Sequence, residues 1–191
     1  MIKGKKKKIV NIPKEYMDSI IISESIFSSL FQFENGLRIV IDKYLSAIYG
    51  SDWWESSLKN RKFDIYEYAD NIKKRMAYMP WIGSSTVIQP LPIHSITLGQ
   101  LEEIIKAYKS ECIPILFPSL DFICGRLELI KRVRNLFAHM YPCIGKADVR
   151  VAKRDILTLS EHLNYILKSK PERLLLNIKK NQTPPATPSA P

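Results

Sequence analysis

The stretch Glu24–Tyr49, ESIFSSLFQFENGLRIVIDKYLSAIY, decides the fold class. Ile26, Leu30, Phe33, Leu37, Val40, Ile41, Tyr44, Leu45 and Ile48 recur at spacings of three and four. That period gathers them on one side of a 3.6-residue helix and predicts one long amphipathic helix. Ser23 is the expected N-cap, and Gly50 the expected stop in a left-handed conformation. Asp52 and Glu55 have capping-box spacing ahead of Trp53, Trp54 and Leu58, which predicts a short helix. Ile65, Tyr68, Ala69, Ile72, Met76 and Met79 mark another, stopped by Pro80. Gly83, Pro90 and Pro92 make 81–96 a loop, with Val87 and Ile88 as its extended part.

The same reading continues to the end of the body. Thr97 and Gln100 have capping-box spacing before LEEIIKAY. After Pro114 and Pro118, Ser119 caps a predicted helix to about Met140, with Leu120, Ile123, Leu127, Ile130, Phe137 and Met140 facing inward. Pro142 and Gly145 break the pattern. A last helix over 149–168 carries Val151, Ile156, Leu159, Leu163, Ile166 and Leu167. Long helices with short or medium connections and no alternating strands predict an all-α fold, an antiparallel four-helix-type bundle with extra short helices. The expected organisation is a flexible basic arm over 1–11, a helical domain over 12–168, and a basic, then Pro-rich, disordered tail over 169–191.

Composition removes several classes of function. The chain has 191 residues, 46% hydrophobic and 25% charged, with only 7 Gly, so it is neither wholly disordered nor collagen-like. No apolar run approaches the roughly 18 residues that span a bilayer. Only Ile9 and Val10 follow the lysines of MIKGKKKK, so no export signal is expected. Cys112, Cys124 and Cys143 form no CxxC pair, which suggests neither a disulfide framework nor structural zinc. A reducing cytoplasm is the expected compartment, with no membrane partner, no metal and no cofactor.

The net charge of +10 is unevenly placed. Residues 1–10 contribute +5 and 168–191 contribute +4, which leaves +1 for the body. Within the body, 126–154 carries eight basic residues against Glu128 and Asp148. Such a concentrated field attracts phosphates, although a charge cluster is also what a solvated helix face looks like.

One segment inside this region carries chemistry: Arg132-Val133-Arg134-Asn135-Leu136-Phe137-Ala138-His139-Met140-Tyr141. Asn135 and His139 are four apart, so they share a helix face, and the amide can orient the imidazole. Arg134 offers a permanently charged fork suited to a phosphate. Histidine can give or take a proton near neutral pH. These groups suffice for RNA cleavage in which the ribose 2′-hydroxyl is the nucleophile, with no metal. With 9 arginines and 3 histidines, however, an Arg-x4-His spacing arises by chance about 0.14 times in such a chain. A histidine at a helix end can equally be a cap.

RNLFAH, in the penultimate long helix of an all-helical body, resembles the Arg-Asn-x-x-Ala-His signature of the HEPN superfamily (higher eukaryotes and prokaryotes nucleotide-binding). FENGLR at Phe33–Arg38 and YGSDWW at Tyr49–Trp54 resemble the subgroup found in RNA-surveillance endoribonucleases and bacterial defence proteins. The similarity spans about 24–168. It implies a HEPN-like bundle that homodimerises, so that two Arg-x4-His motifs form one composite RNase site. Carried over, Arg134 holds the scissile phosphate, His139 is the general acid or base, and Asn135 is the usual polar neighbour. Glu34 and Arg38 line the site in that reading; otherwise they are an i,i+4 ion pair. Lys131 and Arg132 are further RNA-binding candidates. Tyr141 extends the motif to Arg-x4-His-x-Tyr, and in toxin pairs that resemble this one an antitoxin adenylylates that tyrosine. Trp53 and Trp54 are either base-stacking platforms or core, and His94 and His162 are structural or exposed.

The expected activity is thus a metal-independent endoribonuclease of toxin, defence or RNA-processing type. Its partners are RNA, a second copy, and a cognate antitoxin or regulator. The alternative is a non-catalytic HEPN module that binds RNA or a protein.

Overall fold

A computed structural model describes residues 13–77, 92–113, 115–139 and 146–168. Among the described residues the regular structure is entirely helical. Five longer helices run over Lys14–Tyr49 (α1), Phe63–Ala77 (α2), Leu98–Ala107 (α3), Leu120–Ala138 (α4) and Lys146–Lys168 (α5). A π-helical turn, Trp54–Leu58, continues into a helical turn at Lys59–Arg61. A 3-10 turn covers Pro92–Ser95, and Lys109–Cys112 forms one more helical turn. No helix among the described residues is long and apolar enough to cross a membrane.

Helix α1 begins earlier than its apolar period suggests. Its cap is Pro13, at φ −54° and ψ 147°, and the Pro13 carbonyl accepts from the Tyr16 and Met17 amides at 3.1 and 3.2 Å. Ser23 is therefore not a cap but an internal residue. Lys14–Ile22 contains no Gly or Pro, and each added residue costs little once a helix is nucleated. Gly50 does end α1, but not in the left-handed helical well. At φ 93° and ψ 168° it occupies a region open essentially only to glycine, and a Cβ there would stand 2.9 Å from Asp52 Oδ1.

Of the two expected capping boxes one forms, and the expected cap at Ser119 forms as well. At Thr97 both halves form: the Gln100 amide donates to Thr97 Oγ1 at 3.3 Å, and the Thr97 amide to Gln100 Oε1 at 2.8 Å. Ser119 Oγ accepts from the Phe122 amide at 3.1 Å. The Asp52–Glu55 box does not form. The turn after Gly50 starts without a side-chain cap, and Glu55 instead accepts from the Tyr66 hydroxyl at 2.7 Å.

α1 packs along α5, α5 along α4, and α3 against both α4 and α1, while α2 supports the Pro92–Ser95 turn. One core joins them: Phe33, Leu37, Ile41 and Leu45 of α1 belong to the same buried cluster as Ile104, Ile123, Leu127 and Leu159. Along α5 the buried residues are Val149, Ala152, Ile156, Leu159, Leu163 and Ile166. Val151 and Leu167, expected inside, are exposed. Val151 stands two positions from Val149, on nearly the opposite side of the helix. Pro80, Val87, Ile88, Met140, the arm 1–11 and the tail 169–191 lie outside the described residues.

Candidate functional site

The last turns of α4 take part in two clefts with no lining residue in common. The first, about 500 Å³, is bounded by Phe27, Phe31, Glu34 and Arg38 of α1, by His94 of the 3-10 turn, and by Arg134 of α4. The second, about 400 Å³, is bounded by Glu128, Lys131, Arg132, Asn135, Leu136 and His139. The i,i+4 pair Asn135 and His139 thus shares one cleft, while Arg134 belongs to the other.

Arg38 organises the first cleft. It is only 8% exposed. Its Nη2 donates to Glu34 Oε1 at 2.5 Å and to the Ile96 carbonyl at 2.9 Å, and its Nε to the Ile93 carbonyl at 3.2 Å. Nη1 reaches Asn35 Oδ1 at 3.4 Å. The i,i+4 pair expected from sequence is present, but it is one part of a clamp. A planar guanidinium with several fixed donors can hold a carboxylate and two carbonyls together. The clamp fastens the Pro92–Ser95 turn to α1 and so sets His94 beside the cleft. Arg38 is therefore a positioning residue whose charge is already compensated.

Arg134 differs from most of the other cations of its basic region. Arg126 donates to the Phe122 carbonyl at 2.9 Å and lies over the Phe122 ring. Arg132 stands 3.8 Å from Asp148, and Arg154 stands 3.6 Å from Asp155. Lys131 is paired with Glu102 and lies 3.4 Å from Glu128. Arg134 is half-buried, and among the described residues nothing pairs with its guanidinium. A half-buried cation without an anion is costly, and a bound anion removes that cost.

In the second cleft, His139 directly follows α4 at φ −97° and ψ 6°, and its backbone amide donates to the Asn135 carbonyl at 3.0 Å. The residue closes the helix with its backbone, is exposed, and borders this cleft. Tyr141 lies outside the described residues. Lys131 is tied from below by Glu102, which is 4% exposed and also pairs with Lys106 at 2.8 Å. Burial alone would raise the Glu102 carboxyl, but hydrogen bonds from Lys106 and Lys131 outweigh it and hold the group below the usual carboxylate range. A lowered carboxyl contributes stability that is present above its unfolded pKa and lost as pH falls through the folded value. Glu102→Gln should therefore cost about 1–3 kcal/mol at pH 7 and less under acid conditions below about pH 4. Urea titrations at both pH values check this, and an equal cost at both would contradict the ion-pair account.

The tryptophans are core, not platforms. Trp53 and Trp54 are 1% and 7% exposed. Trp53 Nε1 donates to Asp42 Oδ1 at 3.0 Å, and its ring meets Tyr108 edge-on at 6.2 Å. Base stacking on them is excluded by burial. His162 is structural: its Nε2 lies 2.7 Å from the Leu116 carbonyl, and its ring touches Phe117 and Phe122. Among the described residues no group of three or more His, Cys, Asp or Glu is placed to hold a metal ion. Sequence reasoning takes His94 as structural or exposed and does not single out Phe27 or Phe31. The two phenylalanines had a legible signal, an i,i+4 aromatic pair off the apolar stripe of α1. No local signal marks His94 as a member of this cleft, since the other residues that line it are at least 40 residues away in sequence. Set beside known proteins, the chain matches no family model, no curated protein and no solved structure.

Proposed function

We propose that the protein is a metal-independent endoribonuclease of toxin, defence or RNA-processing type, built as a HEPN-like bundle and working as a homodimer. The observation that carries this reading is Arg134, a half-buried guanidinium without a partner among the described residues, one position before Asn135 and five before His139. The chemistry needs no other cofactor. The ribose 2′-oxygen attacks the adjacent phosphorus as its proton passes to a base. The P–O5′ bond breaks, and the leaving oxygen takes a proton from an acid. Arg134 would hold the non-bridging oxygens, and His139 would serve as base or acid, oriented by Asn135. Arg134 and His139 border different clefts of one chain. We therefore place the reacting phosphate where Arg134 of one protomer meets His139 of its partner. Lys131 and Arg132 would guide the strand, and a cognate antitoxin or regulator would act at the same face.

The test is incubation of purified protein with total RNA in EDTA. Products with 2′,3′-cyclic phosphate and 5′-hydroxyl ends are expected, and an all-deoxy strand should resist. Loss of cleavage on chelation would sink the metal-free mechanism. The separation of the two clefts also favours a second reading, a non-catalytic module that binds RNA or a partner protein. Binding without any cleavage would select it.

A further inference from the structure

Phe27 and Phe31 are 63% and 62% exposed, on the wall of the cleft that Arg134 borders. Their rings lie nearly parallel, 19° apart, with centroids separated by 6.5 Å. Two large aromatic faces left to solvent one helical turn apart are an unfavourable arrangement unless something covers them. The rest of the cleft says what. Beside the rings stand Arg134, with no anion among the described residues, and His94, held in place by the Arg38 clamp. Glu34 does not add a free negative charge, because Arg38 compensates it. An apolar protein surface laid over the rings would bury the Arg134 charge without a partner, at substantial cost. A nucleotide covers the rings with a flat base and supplies its own anion.

We propose that this cleft is a single-nucleotide subsite for a single-stranded nucleic acid, with the base stacked on Phe27 and Phe31 and its phosphate held by Arg134 beside His94. Every base has a π face, so the subsite tolerates any sequence. The cleft's size, about 500 Å³, lies within the range of ligand pockets. The subsite deepens the RNA reading above, resting on it for its ligand class, and moves base stacking from the buried tryptophans to exposed phenylalanines.

The test uses the full chain in EDTA and a short fluorescent all-deoxy oligonucleotide, read by anisotropy at fixed salt. Such a strand offers bases and phosphates but no 2′-hydroxyl, so binding is measured whether or not the protein cleaves RNA. Phe27→Leu and Phe31→Leu keep apolar bulk at exposed positions and remove the π face, so the fold should survive, which circular dichroism checks. Each should weaken binding about 5- to 150-fold, the range that corresponds to losing one base–aromatic stack. Phe31→Trp should restore it. An abasic strand should bind wild type and the leucine variants alike. Wild-type affinity in both leucine variants overturns the subsite. So does an equal loss of affinity for the abasic strand. A fall in light-scattering mass with unchanged affinity also overturns it, and assigns the rings to a protein interface instead. Failure of RNA cleavage with this pattern intact would refute the nuclease reading alone.

Discussion

Trp53→Ala should lower the unfolding free energy by about 3–5 kcal/mol, the usual cost of emptying a buried aromatic site. Trp53 is 1% exposed and carries two kinds of contact at once. Its indole N–H donates to Asp42 of α1 at 3.0 Å, and its ring packs edge-on against Trp54 and Tyr108. The alanine variant therefore loses dispersion contacts and leaves Asp42 without that donor. A whole domain is typically stable by only about 5–15 kcal/mol, so the loss is large. Trp53→Phe separates the two contributions, since it retains most of the packing and lacks the donor. The expected order in urea denaturation is wild type, then Phe, then Ala. If the alanine variant kept wild-type stability while losing RNA affinity, the tryptophan would be a surface platform, against its burial. The neighbouring network gives the region further rigidity. Glu111 accepts from Arg61 at 2.8 Å and from the Tyr49 hydroxyl, and burial first, then the Glu111 hydrogen bond, pushes the Tyr49 phenol up to about 12.

How much of this was legible in the sequence depended on the distance over which each feature is decided. The caps at Thr97 and Ser119 are settled within one helical turn, and both form where the spacing put them. The buried stripe of α1 is set by periodicity and matches: Ile26, Leu30, Phe33, Leu37, Ile41 and Leu45 are all core. The apolar period places the start of α1 too late, because serine occurs inside helices as well as at their ends, and nothing in Lys14–Ile22 breaks one. Glu34 and Arg38 were visible as a pair, but the Ile93 and Ile96 carbonyls that Arg38 also holds lie 55 and 58 residues along the chain. No local pattern carries that information. The arrangement of the motif was more legible than it looked. Five residues at the helical period turn Arg134 and His139 about 140° apart, so their spacing already argued against one shared face. Asn135 and His139, four apart, do share one.

That angular separation supplies the sharpest test of the nuclease reading. His139→Ala should reduce cleavage by about 10²–10⁴, the usual contribution of a positioned acid or base. Arg134→Ala should reduce it by about 10²–10³, as expected for removing a group that stabilises transition-state charge. The first position is exposed and the second is unpaired among the described residues, so neither change should unfold the protein. Mixing the two inactive proteins then distinguishes a shared site from a site within one chain. Random exchange of subunits makes about half of the dimers mixed. If Arg134 of one protomer works with His139 of its partner, each mixed dimer has one complete site and one lacking both groups. Activity should recover to about a quarter of wild type, because half the dimers have one of two sites. If both groups act from the same chain, no complete site exists in any dimer, and the mixture stays inactive. Light scattering at about twice the 22.1 kDa chain mass is required for the first outcome. A monomer that cleaves RNA at the wild-type rate would remove the need for a partner, and the substrate would then have to pass around the end of α4 from the Arg134 cleft to the His139 cleft.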